Sequence, residues 1–191
     1  IKERGFWFIT LRPPEPVATE IPFTNLEQLV RQSAVSLRSW GFPHFNPKEP
    51  VRRSSSYVSQ EVSWEHFREL WRAYRSGQFV SVQAIWDDWR DQSRVWPPER
   101  GWRPQGGLSV NDAVFRLVEI FEFAARYYQR IDAVAKVRLS IEISGLGGRA
   151  LINSADRVPF LRPRICDEDK WEYVVELSMA DLVAAPRLHA A

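Results

Sequence analysis

The chain is short of several residue types, and each shortage excludes a class of chemistry. A single cysteine, Cys166, allows neither an internal disulfide nor a cysteine-based zinc site. The three histidines, His44, His66 and His189, form no His-x-x-x-His pair, so helical zinc ligation of that kind is excluded. Neither a metal nor a cofactor is called for. No apolar run approaches the roughly 20 residues that span a bilayer. There is no Gly-x-Ser-x-Gly elbow and no Gly-Lys-Ser or Gly-Lys-Thr phosphate loop. Lysine is scarce, four residues against 22 arginines, an imbalance that a GC-rich coding genome would produce. The net charge of +2 excludes polyanion binding by bulk charge. The chain opens at Ile1 without a charged-then-apolar leader. The expectation is therefore an excised piece of a longer, non-secreted protein in a reducing cytoplasm.

What remains is an ordinary globular composition, 45% apolar and 26% charged over 191 residues, with an unusual nine tryptophans. That length suits one domain. Gly5–Arg12 is apolar on both alternating faces and reads as a strand covered on both sides. Thr24, with Glu27 three residues on, opens a helix as a capping box. Its stripe is Leu26, Leu29, Val30, Ala34 and Leu37, and Gly41 and Pro43 stop it. A second helix is expected from Ser63 to Gly77, with Trp64, Phe67, Leu70, Trp71 and Tyr74 on one face and a Val62–Phe67 staple. Residues 80–86 alternate as a strand. Residues 87–107 form a long Trp- and Arg-containing loop. Ser109 caps the longest helix, to about Arg130, with Val110, Ala113, Val114, Leu117, Val118 and Phe121 inward and Phe115 widening the stripe. Val137, Leu139, Ile141 and Ile143 mark a half-buried strand, and Gly145–Gly148 is expected to turn it into a hairpin with Arg149–Ile152. Tyr173, Val175 and Leu177 mark a last strand, and Ser178 caps a short helix that Pro186 stops. Strands and helices do not alternate regularly. The expected fold is α+β, a mostly antiparallel sheet packed with three main helices in a single domain.

Five groups of residues could carry chemistry, and each has a plainer reading. The Gly145–Gly148 turn could cradle phosphate, but a strand-forming stretch follows it rather than a helix, so a hairpin turn is favoured. Glu61, Glu65 and His66 could form an acid/base centre, against surface groups complementing a helix start. His44 could line a pocket in its proline-fixed loop. Asp112, Arg116, Glu119, Glu122 and Arg126 follow one another along the long helix. A solvated row of salt bridges is favoured over paired carboxylates in a cleft. Acidic neighbours make Cys166 a spectator thiol. Finally, Trp86, Trp89, Arg90, Arg94, Trp96, Arg100, Trp102 and Arg103 interleave aromatic and basic groups, as nucleic-acid or partner surfaces do. Asp87, Asp88, Asp91 and Glu99 cancel the local charge, so a flap with its Trp packed on the body is favoured. Arg52-Arg53 and Arg157, Arg162 and Arg164 read as solvated loops. Trp7, Trp64 and Trp71 read as core.

The segments GFWFITLRP, RSWGFPHF, WEHFRELWRAYRSGQFV, EIFEFAARY and ISGLGGRAL resemble the C-terminal region of uncharacterised bacterial proteins. In those proteins a Schlafen-like, AlbA-type DNA-binding domain comes first. The resemblance implies a bacterial cytoplasmic accessory domain that senses a ligand, associates with itself or with that DNA-binding domain, or adjusts DNA binding. It implies no catalytic residue. Trp40, His44, Trp71, Gln78 and Arg126 lie in its most characteristic stretches and are the candidate pocket or interface. The rival readings are a hydrolase with a Glu/His cleft and direct nucleic-acid binding through residues 89–103. No membrane association is expected.

Overall fold

The structure is a computed structural model that describes residues 1, 3–17, 19–38, 40–65, 67–89, 106–152 and 164–184. Its elements are β1 Phe6–Arg12, α1 Phe23–Ser33, β2 Arg52–Arg53, β3 Tyr57–Trp64, β4 Phe67–Tyr74, β5 Phe79–Ala84 and a 3-10 turn at Trp86–Trp89. They continue with β6 Gly107–Ser109, α2 Val110–Tyr128, β7 Lys136–Ser144, β8 Ala150–Ile152, β9 Lys170–Ser178 and α3 Met179–Ala184. Seven strands form one antiparallel sheet in the order β2-β3-β4-β5-β1-β7-β9, and β6 and β8 pair in parallel beside it. The fold is α+β, as the element pattern implies.

β1 lies in the interior of the sheet because it pairs along its length with both β5 and β7. The register aligns Trp7 with Gln83 and Ile143, and Ile9 with Ser81 and Ile141. One sheet face therefore carries a continuous buried row. Leu26 and Val30 of α1 and Ile120, Phe123, Ala124 and Tyr127 of α2 share the core with that face. Each large side chain so buried contributes roughly 1.5–3 kcal/mol. The opposite face, with Phe6, Phe8, Val80 and Val82, is only half-buried, so β1 is not covered equally on both sides. The Ser109 hydroxyl accepts the Asp112 N–H at 3.3 Å and starts α2, and Ser178 does the same for Asp181 at 3.1 Å in α3. Among the described residues, no helix is long and apolar enough to cross a membrane.

Several expected elements come out differently. The expected helix from Ser63 to Gly77 is the β3–β4 hairpin. Along β4, Glu69, Trp71 and Ala73 are buried and alternate with Arg68, Leu70, Arg72 and Tyr74, so a period of two prevails. The aromatic spacing of three and four fits a helix, but pairing with β3 and β5 overrides it and puts Trp71 and Tyr74 on opposite faces. Ser63 is no cap; its hydroxyl accepts from Arg68 at 3.0 Å. Gly77 does take the left-handed conformation, φ +82°, but in the β4–β5 turn. α1 begins at Phe23 with Pro22 at its cap position and no side-chain cap, and Glu27 instead pairs with Arg31 and Arg53. It ends at Ser33 because Val35 exchanges backbone hydrogen bonds with Phe42, which leaves Leu37 exposed. α2 is rotated from the expected face: Val114 and Phe115 are exposed and Arg116 and Glu119 are buried. β8 does not return along β7 as a hairpin; it pairs with β6. Trp64, expected in the core, is 57% exposed.

Candidate functional site

The buried sheet face carries a polar patch that hydrophobic patterning alone would not place there. Glu69 lies opposite Gln83 and two residues from Trp71, all facing inward. Its carboxylate accepts the His44 backbone N–H at 3.3 Å and the Ser81 hydroxyl at 3.5 Å. Burial pushes the Glu69 carboxyl up to about 7. The nearby Arg116 charge, the Gln83 amide and the N–H groups of His44 and Trp40 offset part of that rise. Beside it, Arg116 is 3% exposed and lies 3.2 Å from Glu119, whose side chain is fully buried. Arg38 closes the group, donating to both Glu119 oxygens at 3.4 and 2.9 Å and to Asp112 at 2.7 Å.

An aromatic column covers this patch. The Trp40 ring stacks on His44 at 3.5 Å and on Phe67 at 3.9 Å, nearly parallel to both. Trp64 lies 6.0 Å from Trp40, and Trp86 meets Phe67 edge-on at 4.6 Å. The Arg38 and Arg116 guanidinium groups lie over the Trp86 ring at 4.8 and 5.2 Å. The Trp71 indole N–H donates to the His44 carbonyl at 3.0 Å, fixing the loop from below. Burial lowers the His44 pKa and favours its neutral form.

The space left inside is small. A cavity of about 30 Å³ lies among Trp7, Arg38, Trp86, Asp87, Asp112 and Arg116. That is room for about one water. It reaches the polar side of α2 but not His44. A larger hollow of about 250 Å³ lies between Pro13–Val17 and Ala133–Lys136, away from the buried acids.

A second buried polar knot joins segments far apart in the sequence. Arg149 donates to both Asp88 oxygens at 2.7 and 2.5 Å, to the Gly107 carbonyl at 3.1 Å and to the Gly145 carbonyl. The Gly5 N–H donates to the same Asp88 carboxylate at 2.9 Å. Gly5 is required here, because a Cβ on it would fall 2.3 Å from the Arg149 guanidinium. Gly145, at φ +75°, packs so close that its own Cβ would lie 2.8 Å from the Gly5 Cα. The glycine turn thus docks on β1, and the carbonyl of Gly145 faces a guanidinium rather than an anion.

The structure brings Trp40, His44 and Trp71 together and leaves the other candidates apart. Gln78 lies at the far end of β4, in the turn that leads to β5. Arg126 donates to the Ala34 carbonyl at 3.2 Å and to Glu122 at 3.0 Å. Glu61 and Glu65 are exposed, Glu61 on the face opposite Glu69 and Glu65 in the hairpin turn at φ +50°. The charge row of α2 is split: Asp112 pairs with Arg38 from outside the helix, Arg116 and Glu119 meet in the interior, and Glu122 pairs with Arg126. Trp89 lies against two cations, Arg68 at 4.1 Å and Arg4 at 4.4 Å from its ring. Cys166 is half-buried, and its N–H donates to the Arg149 carbonyl. His66, His189, Arg90, Arg94, Trp96, Arg100, Trp102, Arg103, Arg157 and Arg162 lie outside the described residues.

Glu69, Gln83, Arg38, Asp88 and Arg149 were not singled out from sequence. Glu69 was hidden by the helical reading of its segment. Asp88 and Arg149 are 61 residues apart and carry no local signature. No group of three or more metal-ligating side chains occurs among the described residues. Compared with protein-family profiles, with curated proteins and with solved structures, the chain finds no match.

Proposed function

We propose that this domain works by association, as a non-catalytic interaction or ligand-sensing accessory module of a bacterial cytoplasmic DNA-binding protein. The carrying observation is the contrast at the β3–β4 hairpin end. Trp64 stands 57% exposed beside a rigid ring stack, while Glu69, below that stack, is sealed from solvent. An acid/base enzyme needs its carboxyl within reach of a substrate atom. Here Glu69 is capped by the 40–44 loop, and Glu119 and Asp88 are held by Arg38 and Arg149. Exposed tryptophan and arginine are residues that protein contacts favour. The resemblance in sequence supports the accessory role, with the partner being the DNA-binding domain of the same chain or a second copy.

The test is turnover. The purified 191-residue chain, offered ester, peptide and nucleic-acid substrates between pH 5 and 9, is expected to show none above background. Turnover lost in Glu69→Gln, with the fold retained, would overturn the reading. The rival is favoured by one observation, the Glu69 carboxyl near neutrality, a common mark of acid/base sites. The base-stacking reading is weakened at Trp89, whose ring already packs against Arg4 and Arg68.

A further inference from the structure

The two outer strands of the large sheet are built differently. β2 is two residues long, Arg52–Arg53, exposed and charged, and Pro50 lies just before it. Short, charged and proline-flanked edges discourage further pairing. β9 is nine residues long, has no proline, and keeps an unbroken register with β7 from Lys170 to Ser178. Among the described residues no strand pairs with its outer side. It is also apolar where an edge is normally guarded. Trp171 and Tyr173 are 40% and 38% exposed on one face, with their rings parallel and 6.1 Å apart, and Val174 is 45% exposed on the other.

We infer that β9 is the self-association edge of this chain: a second copy pairs with it antiparallel about a two-fold axis through Tyr173. This rests on the reading of the domain as an association module and names its partner. Charge favours one register, with Lys170 and Glu176 exposed at the edge while also paired within the chain to Glu142 and Lys136. Centred on Tyr173, the pairing puts Lys170 opposite Glu176 twice, Trp171 opposite Val175 twice, and Tyr173 opposite itself. Centred one residue later, on Val174, it would put Glu172 opposite Glu176 twice, and like charges directly opposite one another are destabilising. In the favoured register Trp171, Tyr173 and Val175 of both copies make one apolar strip on one face. The two sheets join into one of fourteen strands, and a two-fold contact of this kind closes on itself.

The experiment uses the 191-residue chain in a Cys166→Ser background. Opposed residues of an antiparallel pair lie about 4.5–5.5 Å apart at Cα, within disulfide reach, whereas a two-residue offset exceeds it. Under mild oxidation Tyr173→Cys is expected to give a disulfide-linked dimer and Val174→Cys to give no disulfide. In sedimentation equilibrium the parent chain dimerises and Tyr173→Glu, which sets two like charges face to face, is monomeric with an unchanged circular dichroism spectrum. Lys170→Glu weakens the dimer several-fold, and adding Glu176→Lys restores it. A chain monomeric at high micromolar concentration overturns the proposal, as does a dimer indifferent to Tyr173→Glu, or a disulfide at position 174 instead of 173. A dimer joined elsewhere removes this edge and leaves the association reading standing. Catalytic turnover removes that reading and leaves the strand pairing untouched.

Discussion

Two of the enclosed carboxylates in this fold, Asp88 and Glu69, are kept in opposite ways. Asp88 faces the Arg149 guanidinium in bidentate contact and receives a backbone N–H from Gly5, two partners far from it in sequence. Among the described residues Glu69 has no cation in direct contact. It is met by neutral groups, the His44 N–H, the Ser81 hydroxyl, the Gln83 amide and the Trp40 N–H, and the nearby Arg116 is engaged by Glu119. A buried charge must be matched by a partner or give up its charge. Asp88 takes the first route, and Glu69 takes the second as its carboxyl rises to about 7. The first knot is a fastening, whereas the second responds to pH under the loop that carries Trp40 and His44.

The largest expected effect comes from breaking the fastened knot. Arg149→Met leaves Asp88 buried and unmatched and should cost about 3–5 kcal/mol in urea unfolding. Adding Asp88→Leu should recover a large part of that, because an apolar pair tolerates burial better than a lone charge. Recovery should be incomplete, since Gly5 then loses its acceptor.

The pH-responsive knot gives the next effect, with a definite sign. The folded state holds the Glu69 proton up to about pH 7, while the unfolded chain releases it near 4.5. Between these values the folded state binds more protons, so stability from this group is full below pH 4.5 and is lost as pH rises through 7. The loss is on the order of 3 kcal/mol. Glu69→Gln should flatten that part of the stability profile measured by denaturant melts. An equally steep profile in the variant would mean that another group carries it.

The smallest effect is expected at the rim. Trp64→Ala should change stability by no more than about 0.5 kcal/mol, because the side chain is mostly exposed. The buried comparison is Trp40→Ala, which unroofs the patch and should match the loss at the Arg149 knot, about 3–5 kcal/mol. Thermal melts of the two variants would separate a contact residue from a structural one.

Much of the architecture was legible locally. The strands at β1, β5, β7 and β9 and the Ser109 and Ser178 caps follow from alternation and capping chemistry that act within a few residues. The β3–β4 hairpin was not legible, because WEHFRELWRAY places its aromatics three and four residues apart, as one helix face does, and the strand divides them between two faces. Only the neighbouring strands decide between helix and strand. The polar interior was the least legible part. Arg116 and Glu119 look like a solvated helix row until Arg38, from the loop after α1, closes over them. Trp40 and His44 were singled out together, but the buried acid that unites them lies in another strand.

The enclosure of Glu69 is tested most directly by following its carboxyl carbon by NMR through a pH titration. A midpoint near 7, with the Trp40 and His44 amide signals moving at the same pH, is the expected result. A midpoint near 4.5, with those amides unmoved, would show an open, hydrated carboxylate and contradict the sealed site.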